Sequence, residues 1–105
     1  MAVSIVTDSN FDEQLNSNEV VVVKYFANWC GSCKLFSPKY TRVSNEDQYS
    51  NVTFLDVNAE ENPHARRAAK VDSLPYLAVF KNGELVEGSA SSKEEYLRTL
   101  IDKAS

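Results

Sequence analysis

The stretch Val20-Val21-Val22-Val23-Lys24-Tyr25-Phe26-Ala27, followed after Asn28 by Trp29-Cys30-Gly31-Ser32-Cys33-Lys34, decides the fold. Its first eight residues are β-branched and aromatic without alternation, which predicts a strand buried on both faces. Such a strand sits centrally in a sheet with helices on both sides. From Cys33 the pattern turns helical, so both cysteines fall at a strand-to-helix junction. Two cysteines with two residues between them, placed there, read as a redox pair. In the first turn of a helix, residues i and i+3 lie about 5–6 Å apart on one face, within the Cα separation a disulfide needs. Gly31 is expected to remove a Cβ that would crowd the small ring. The helix N-terminus offers unpaired N–H groups and a partial positive charge, which favour a thiolate able to attack a disulfide near neutral pH.

Two other readings of the pair are weaker. Zinc needs about four ligands, and beyond the pair the chain has one histidine, His64, and no third cysteine. No metal and no other cofactor is expected. A purely structural disulfide closing so short a loop would remove little unfolded-chain entropy.

With 105 residues the chain is the size of one compact domain, and no linker, repeat or low-complexity segment divides 1–105. Hydrophobic residues make up 43%, enough for a packed core and too many for a disordered chain. A net charge of −4 argues against nucleic acid as a partner. The run after Met1 is too short and too interrupted for a secretory signal. No stretch approaches the ~20 apolar residues of a membrane span. These features predict a cytoplasmic protein, a monomer in a reducing compartment, whose cysteines cycle rather than stay bridged.

The remaining segments complete an alternating order. Residues 3–7 are β-prone, and the Thr7-Asp8-Ser9-Asn10 cluster offers an N-cap to a helix with Phe11 and Leu15 on one face. Residues 33–49 read as a helix with Leu35, Phe36, Tyr40 and Val43 near one stripe and a bend at Pro38. Residues 52–58 form a second buried strand, and Asn62-Pro63 starts a helix. Glu60 and Glu61 just before it read as solvated charges, and His64 as a surface residue. Residues 74–80 form a strand with Pro75 at its beginning. Asn82-Gly83 is a strong hairpin signal that makes residues 85–88 an edge strand. Ser91 and Glu94 have the spacing of a capping box before the last helix, with Tyr96, Leu97, Leu100 and Ile101 inward. The order βαβαβαββα predicts an α/β protein with a mixed five-stranded sheet flanked by four helices.

These motifs together resemble the thioredoxin family from residue 3 to the C-terminus. The likeness rests on Ala27-x-Trp29-Cys30-Gly31-x-Cys33-Lys34, on Pro38 in the following helix, and on Asn62-Pro63, Pro75 and Phe80-Lys81-Asn82-Gly83. It implies the thioredoxin fold, a cis Pro75 facing the cysteines, and disulfide reduction as the activity. Cys30 would attack a target disulfide and Cys33 would resolve the mixed disulfide, with a thioredoxin reductase as electron donor. Disulfide-containing proteins would dock on an apolar patch formed by Trp29, Gly31, Ser32, the Leu74 backbone, Pro75, Tyr76 and Gly88.

The chain departs from the family pattern at several positions. Ser32 replaces the usual proline between the cysteines, Phe26 stands where many members have a second tryptophan, and Tyr76 follows Pro75 where threonine is common. Six residues before the first cysteine, where a buried aspartate is usual, stands Lys24. Where many members carry its lysine partner stands Asp56. An unpaired buried charge is costly, so the two are expected to form an exchanged ion pair under the dithiol. Asp56 would then be the proton acceptor, and Lys24 would favour thiolate. The rival readings are a thiol oxidase or isomerase, and a partner-binding subunit with a dispensable dithiol.

Overall fold

The structure, a computed structural model, describes residues 3–104. Five strands form one mixed sheet in the order β1-β3-β2-β4-β5. They are β1 (Val3–Ile5), β2 (Val20–Phe26), β3 (Val52–Asn58), β4 (Tyr76–Lys81) and β5 (Glu84–Ala90). β3 runs parallel to both β1 and β2, whereas β4 is antiparallel to β2 and β5. The helices are α1 (Phe11–Ser17), α2 (Gly31–Ser44), α3 (Pro63–Ala68) and α4 (Glu94–Lys103), with a 3-10 turn at Asp47–Tyr49. This is the α/β thioredoxin fold the resemblance implied.

The unbroken apolar run of β2 is explained by burial on both sides. Val21, Val23 and Tyr25 pack with Phe11 and Leu15 of α1 and Ala65 of α3. Val22, on the opposite face, packs with Phe36, Tyr40 and Val43 of α2 and Leu97 and Leu100 of α4. Each fully buried Val, Leu or Phe contributes about 1.5–3 kcal/mol relative to exposure, so these two layers fix where the end of β2 delivers the cysteines.

Several boundaries differ from the sequence reading for local reasons. β1 stops at Ile5 because Thr7 turns its N–H to the Asn10 side chain at 2.9 Å. α2 begins at Gly31, runs through Pro38 and ends at Ser44, well before residue 49. Its inner face follows Cys33, Phe36, Tyr40 and Val43, and Leu35 falls off that stripe, 79% exposed. No capping box forms at α4. Lys93 is its N-cap, Ser91 Oγ accepts the Lys93 N–H at 3.1 Å, and Glu94 is freed to bind Arg42 and Arg98 at 2.6 and 2.9 Å.

α3 shows a reciprocal arrangement. Asn62 precedes Pro63 as expected, but its side chain does not cap the helix. Its Oδ1 accepts the Asp8 N–H at 2.8 Å, while the Asp8 carboxylate accepts the N–H groups of His64 and Ala65 at 3.0 and 2.9 Å. A residue 57 positions away thus satisfies the first turn. At the β4–β5 hairpin, Asn82 and Gly83 have φ of 52° and 84°, the left-handed pair a tight two-residue turn requires.

Candidate active site

β2 ends at Phe26, a short turn follows, and Cys30 becomes the N-cap of α2. Cys30 N–H donates to Ala27 O at 3.1 Å, and Cys30 O accepts from Lys34 N–H at 3.3 Å, so the turn and the first helical bond fix both ends of the motif. Cys30 and Cys33 are joined by a disulfide with 5.3 Å between their Cα atoms. Cys33 N–H points at Cys30 Sγ, 3.1 Å away. On reduction that N–H and the helix N-terminus would stabilise a thiolate at Cys30. Ser32 Oγ adds a hydroxyl 3.7 Å from the same sulfur.

The steric reason expected for Gly31 does not hold. A Cβ built there meets nothing within 4 Å, and the residue is exposed. Its effect is to keep the surface beside the disulfide flat. Gly88 is the opposite case: a Cβ would lie 2.9 Å from Tyr76 Cε1 and 3.2 Å from the Leu77 carbonyl oxygen. The absent side chain lets β5 close against Tyr76.

Trp29 is 68% exposed beside the disulfide. Its indole Nε1 donates to Glu60 Oε2 at 2.7 Å, so Glu60 is exposed as expected and also anchors the indole. Leu74 packs against Ala27, Cys30 and Cys33, and the Leu74-Pro75 bond is cis, as the resemblance implied. Pro75 O accepts from Ser91 N–H at 3.0 Å, tying the loop to the end of β5. Tyr76 follows Pro75 into β4. Its side chain is buried, stacks edge-on against Tyr25 with 6.1 Å between ring centroids, and donates its hydroxyl to Ala69 O at 3.0 Å.

Beneath the dithiol, Lys24 and Asp56 are register partners on β2 and β3. Lys24 is 1% exposed, and its Nζ lies 3.5 Å from Asp56 Oδ1. This is an ion pair without hydrogen-bond geometry, and Asp56 Oδ1 is buried with no donor. Lys24 Nζ instead donates to Ser37 Oγ on α2 and lies over the Tyr40 ring, 5.3 Å from its centroid. Burial pulls the Lys24 ammonium below its ordinary pKa, against the nearby carboxylate. Burial likewise pushes the Asp56 carboxyl up, against the ammonium. The expected pair is present, and both members are biased toward their neutral forms.

A cavity of about 170 Å³ lies beside Cys33 and Ser37, lined also by Phe26, Ala27, Asn28 and Lys34. Among the described residues no group of three His, Cys, Asp or Glu side chains is arranged to hold a metal. No helix there is long and apolar enough to cross a membrane. His64 is exposed and pairs with Asp12 at 2.9 Å, away from the cysteines in its contacts.

Comparison with known proteins agrees with this geometry. Residues 2–103 match the family model described as Thioredoxin. The chain is 39% identical over 105 residues to a thioredoxin of Staphylococcus haemolyticus, covering 98% of each chain. It is 34% identical over 102 residues to Thioredoxin 1 of Plasmodium falciparum, covering 96% of each. A solved structure of Plasmodium falciparum thioredoxin has a TM-score of 0.86 at 33% identity, covering 97% of this chain and 99% of that one.

Proposed function

The chain belongs to the thioredoxin family and is a dithiol–disulfide oxidoreductase, and from that premise we propose how its residues divide the work. Cys30 attacks a target disulfide; the target S–S bond breaks, a Cys30–target bond forms, and one target sulfur leaves as a thiolate. Cys33 then attacks Cys30 Sγ and displaces the second target thiolate, forming the Cys30–Cys33 bond. Two electrons have passed to the target. The observation that carries this assignment is the Cys33 N–H aimed at Cys30 Sγ at the start of α2. It favours charge on the first sulfur.

Cys33 is only 3% exposed, so its proton needs an internal acceptor. Asp56, with an Oδ1 that no donor satisfies, takes that role, and Lys24 holds it in place. Protein substrates dock over Trp29, Gly31 and Ser32, with Leu74 and Pro75 presenting backbone to the target chain. Tyr76 and Gly88 support that loop from β4 and β5. An electron donor of the thioredoxin reductase class restores the dithiol. The chain acts as a monomer in the cytoplasm, because the face that receives targets must stay uncovered and the dithiol must be kept reduced.

The test is reduction of insulin with a thioredoxin reductase, beside a dithiothreitol control. Wild type should turn over in both arms, Cys30→Ser in neither, and Cys33→Ser should accumulate a mixed disulfide through position 30. A Cys30→Ser protein that traps insulin as well as Cys33→Ser does would overturn the assignment of the attacking sulfur.

A further inference from the structure

We propose, building on the assignment of Asp56 as acceptor, that Ser37 is the positioning residue through which the Cys33 proton reaches the Lys24–Asp56 pair. Ser37 lies four residues after Cys33 on α2, so the two side chains are neighbours on one helix face. Both line the 170 Å³ cavity, whereas neither Lys24 nor Asp56 does. Ser37 is the lining residue hydrogen-bonded to the pair, accepting from Lys24 Nζ, whereas Phe26 meets Lys24 only through its ring, 5.7 Å from Nζ to the centroid. Its own O–H has no other partner among the described residues, so it is free to point into the cavity.

The space suits a water bridge. A water needs about 10–15 Å³ of such volume and two or more polar partners, and Cys33, Asn28 and Ser37 all border it. Tyr40, the other hydroxyl near Lys24, is spent on backbone, donating to Leu55 O at 2.8 Å. The charged groups facing this route are Lys24 from β2, Asp56 from β3, and Lys34 from α2 on the cavity wall.

The transfer balances without any further reactant. With its Nζ closing from 3.5 Å to hydrogen-bond distance of Asp56 Oδ1, Lys24 gives one ammonium proton to Asp56 and takes one from the Ser37 hydroxyl. Ser37 takes one from a cavity water, and the water takes the proton of Cys33. The Cys33 S–H bond is broken and an O–H bond on Asp56 is formed, while Lys24 and Ser37 end unchanged.

The test uses the reduced full chain and 5,5′-dithiobis(2-nitrobenzoate) in stopped flow. The first thionitrobenzoate released reports attack by Cys30, and the second reports resolution by Cys33. In Ser37→Ala the ratio of second-phase to first-phase rate should fall about tenfold at neutral pH, a modest share of what a positioned proton-transfer group supplies. The deficit should close at alkaline pH, where hydroxide takes the proton directly, and Ser37→Thr should restore the ratio. Asp56→Asn should show the same second-phase loss. A normal ratio in Ser37→Ala beside a slowed Asp56→Asn overturns the relay and leaves Asp56 as acceptor. A loss in Ser37→Ala that does not vary with pH overturns it too, since packing alone would produce that. A normal ratio in Asp56→Asn overturns the acceptor assignment and the relay with it.

Discussion

Lys24 and Asp56 face each other in register on adjacent parallel strands, 3.5 Å apart, beneath the helix that carries the dithiol. Burial biases each toward its neutral form, and proximity opposes that bias. The pair is therefore a structural commitment as well as a chemical one.

Removing one partner should expose that commitment. Asp56→Leu leaves a fully buried ammonium, costing about 3–5 kcal/mol in urea unfolding at neutral pH, and Lys24→Met leaves a carboxylate that is 18% exposed and should cost less. The double variant should recover most of the loss. The pH dependence has a definite sign. In Lys24→Met the raised Asp56 pKa loses its opposing charge, so the folded state holds the proton more tightly than the unfolded chain. That stability is present below the ordinary value of 3.8 and lost as pH rises through the folded value. The Lys24→Met penalty should thus grow from acid to neutral pH. The exchanged variant Lys24→Asp with Asp56→Lys should reduce disulfides better than the product of the two single variants.

Acid sensitivity should also arise far from the dithiol. The Arg98 guanidinium, hydrogen-bonded to Glu46 at 2.7 and 2.8 Å, pulls that carboxyl down to about 2, with Gln48 adding to the effect. Its pKa is depressed, so its contribution is full above 4.5 and lost as pH falls toward 2. The stability difference between wild type and Glu46→Gln, followed by thermal unfolding, should be constant at neutral pH and vanish near pH 2.

Gly31 and Gly88 should respond oppositely to the same substitution. Gly31→Ala places a methyl in open space at the first position of α2 and should be neutral or stabilising, by up to about 1 kcal/mol. Gly88→Ala drives a methyl against the Tyr76 ring and the Leu77 carbonyl and should cost about 1–3 kcal/mol. Urea titration of both variants checks the contrast.

Glu60→Ala should loosen Trp29 while costing only about 0.5–1.5 kcal/mol, since the 2.7 Å bond it removes is exposed. Trp29 is the single tryptophan of the chain, so its fluorescence anisotropy reads the effect directly and should fall. Insulin reduction should slow more than reduction of a small aromatic disulfide, because the indole orders the docking surface proposed for protein substrates.

The sequence made the scaffold legible where a residue's meaning is local. The run at Val20 to Phe26 could only be a doubly buried strand, and Asn82-Gly83 could only be a tight turn. The spacing of Cys30 and Cys33 carried the chemistry. Lys24 and Asp56 were legible as a pair because the family resemblance put two exchanged charges at partnered positions, and an unpaired buried charge is costly. Residues whose roles depend on distant chain were not legible. Glu60 meets Trp29 across 31 positions, and Asp8 caps α3 from 57 positions away. Ser37 became notable only once Lys24 was found to reach it. Leu35 and Ser91 misled for the reverse reason: both fit a local pattern, and the helix phase and the true start of α4 overrode it.

The placement of β2 has a mechanical consequence. It is bonded along its length to β3 on one side and β4 on the other, and a short turn carries the chain from its end to Cys30. To shift that end, β2 would have to slide past both neighbours at once, so the sheet anchors the place from which the dithiol is presented.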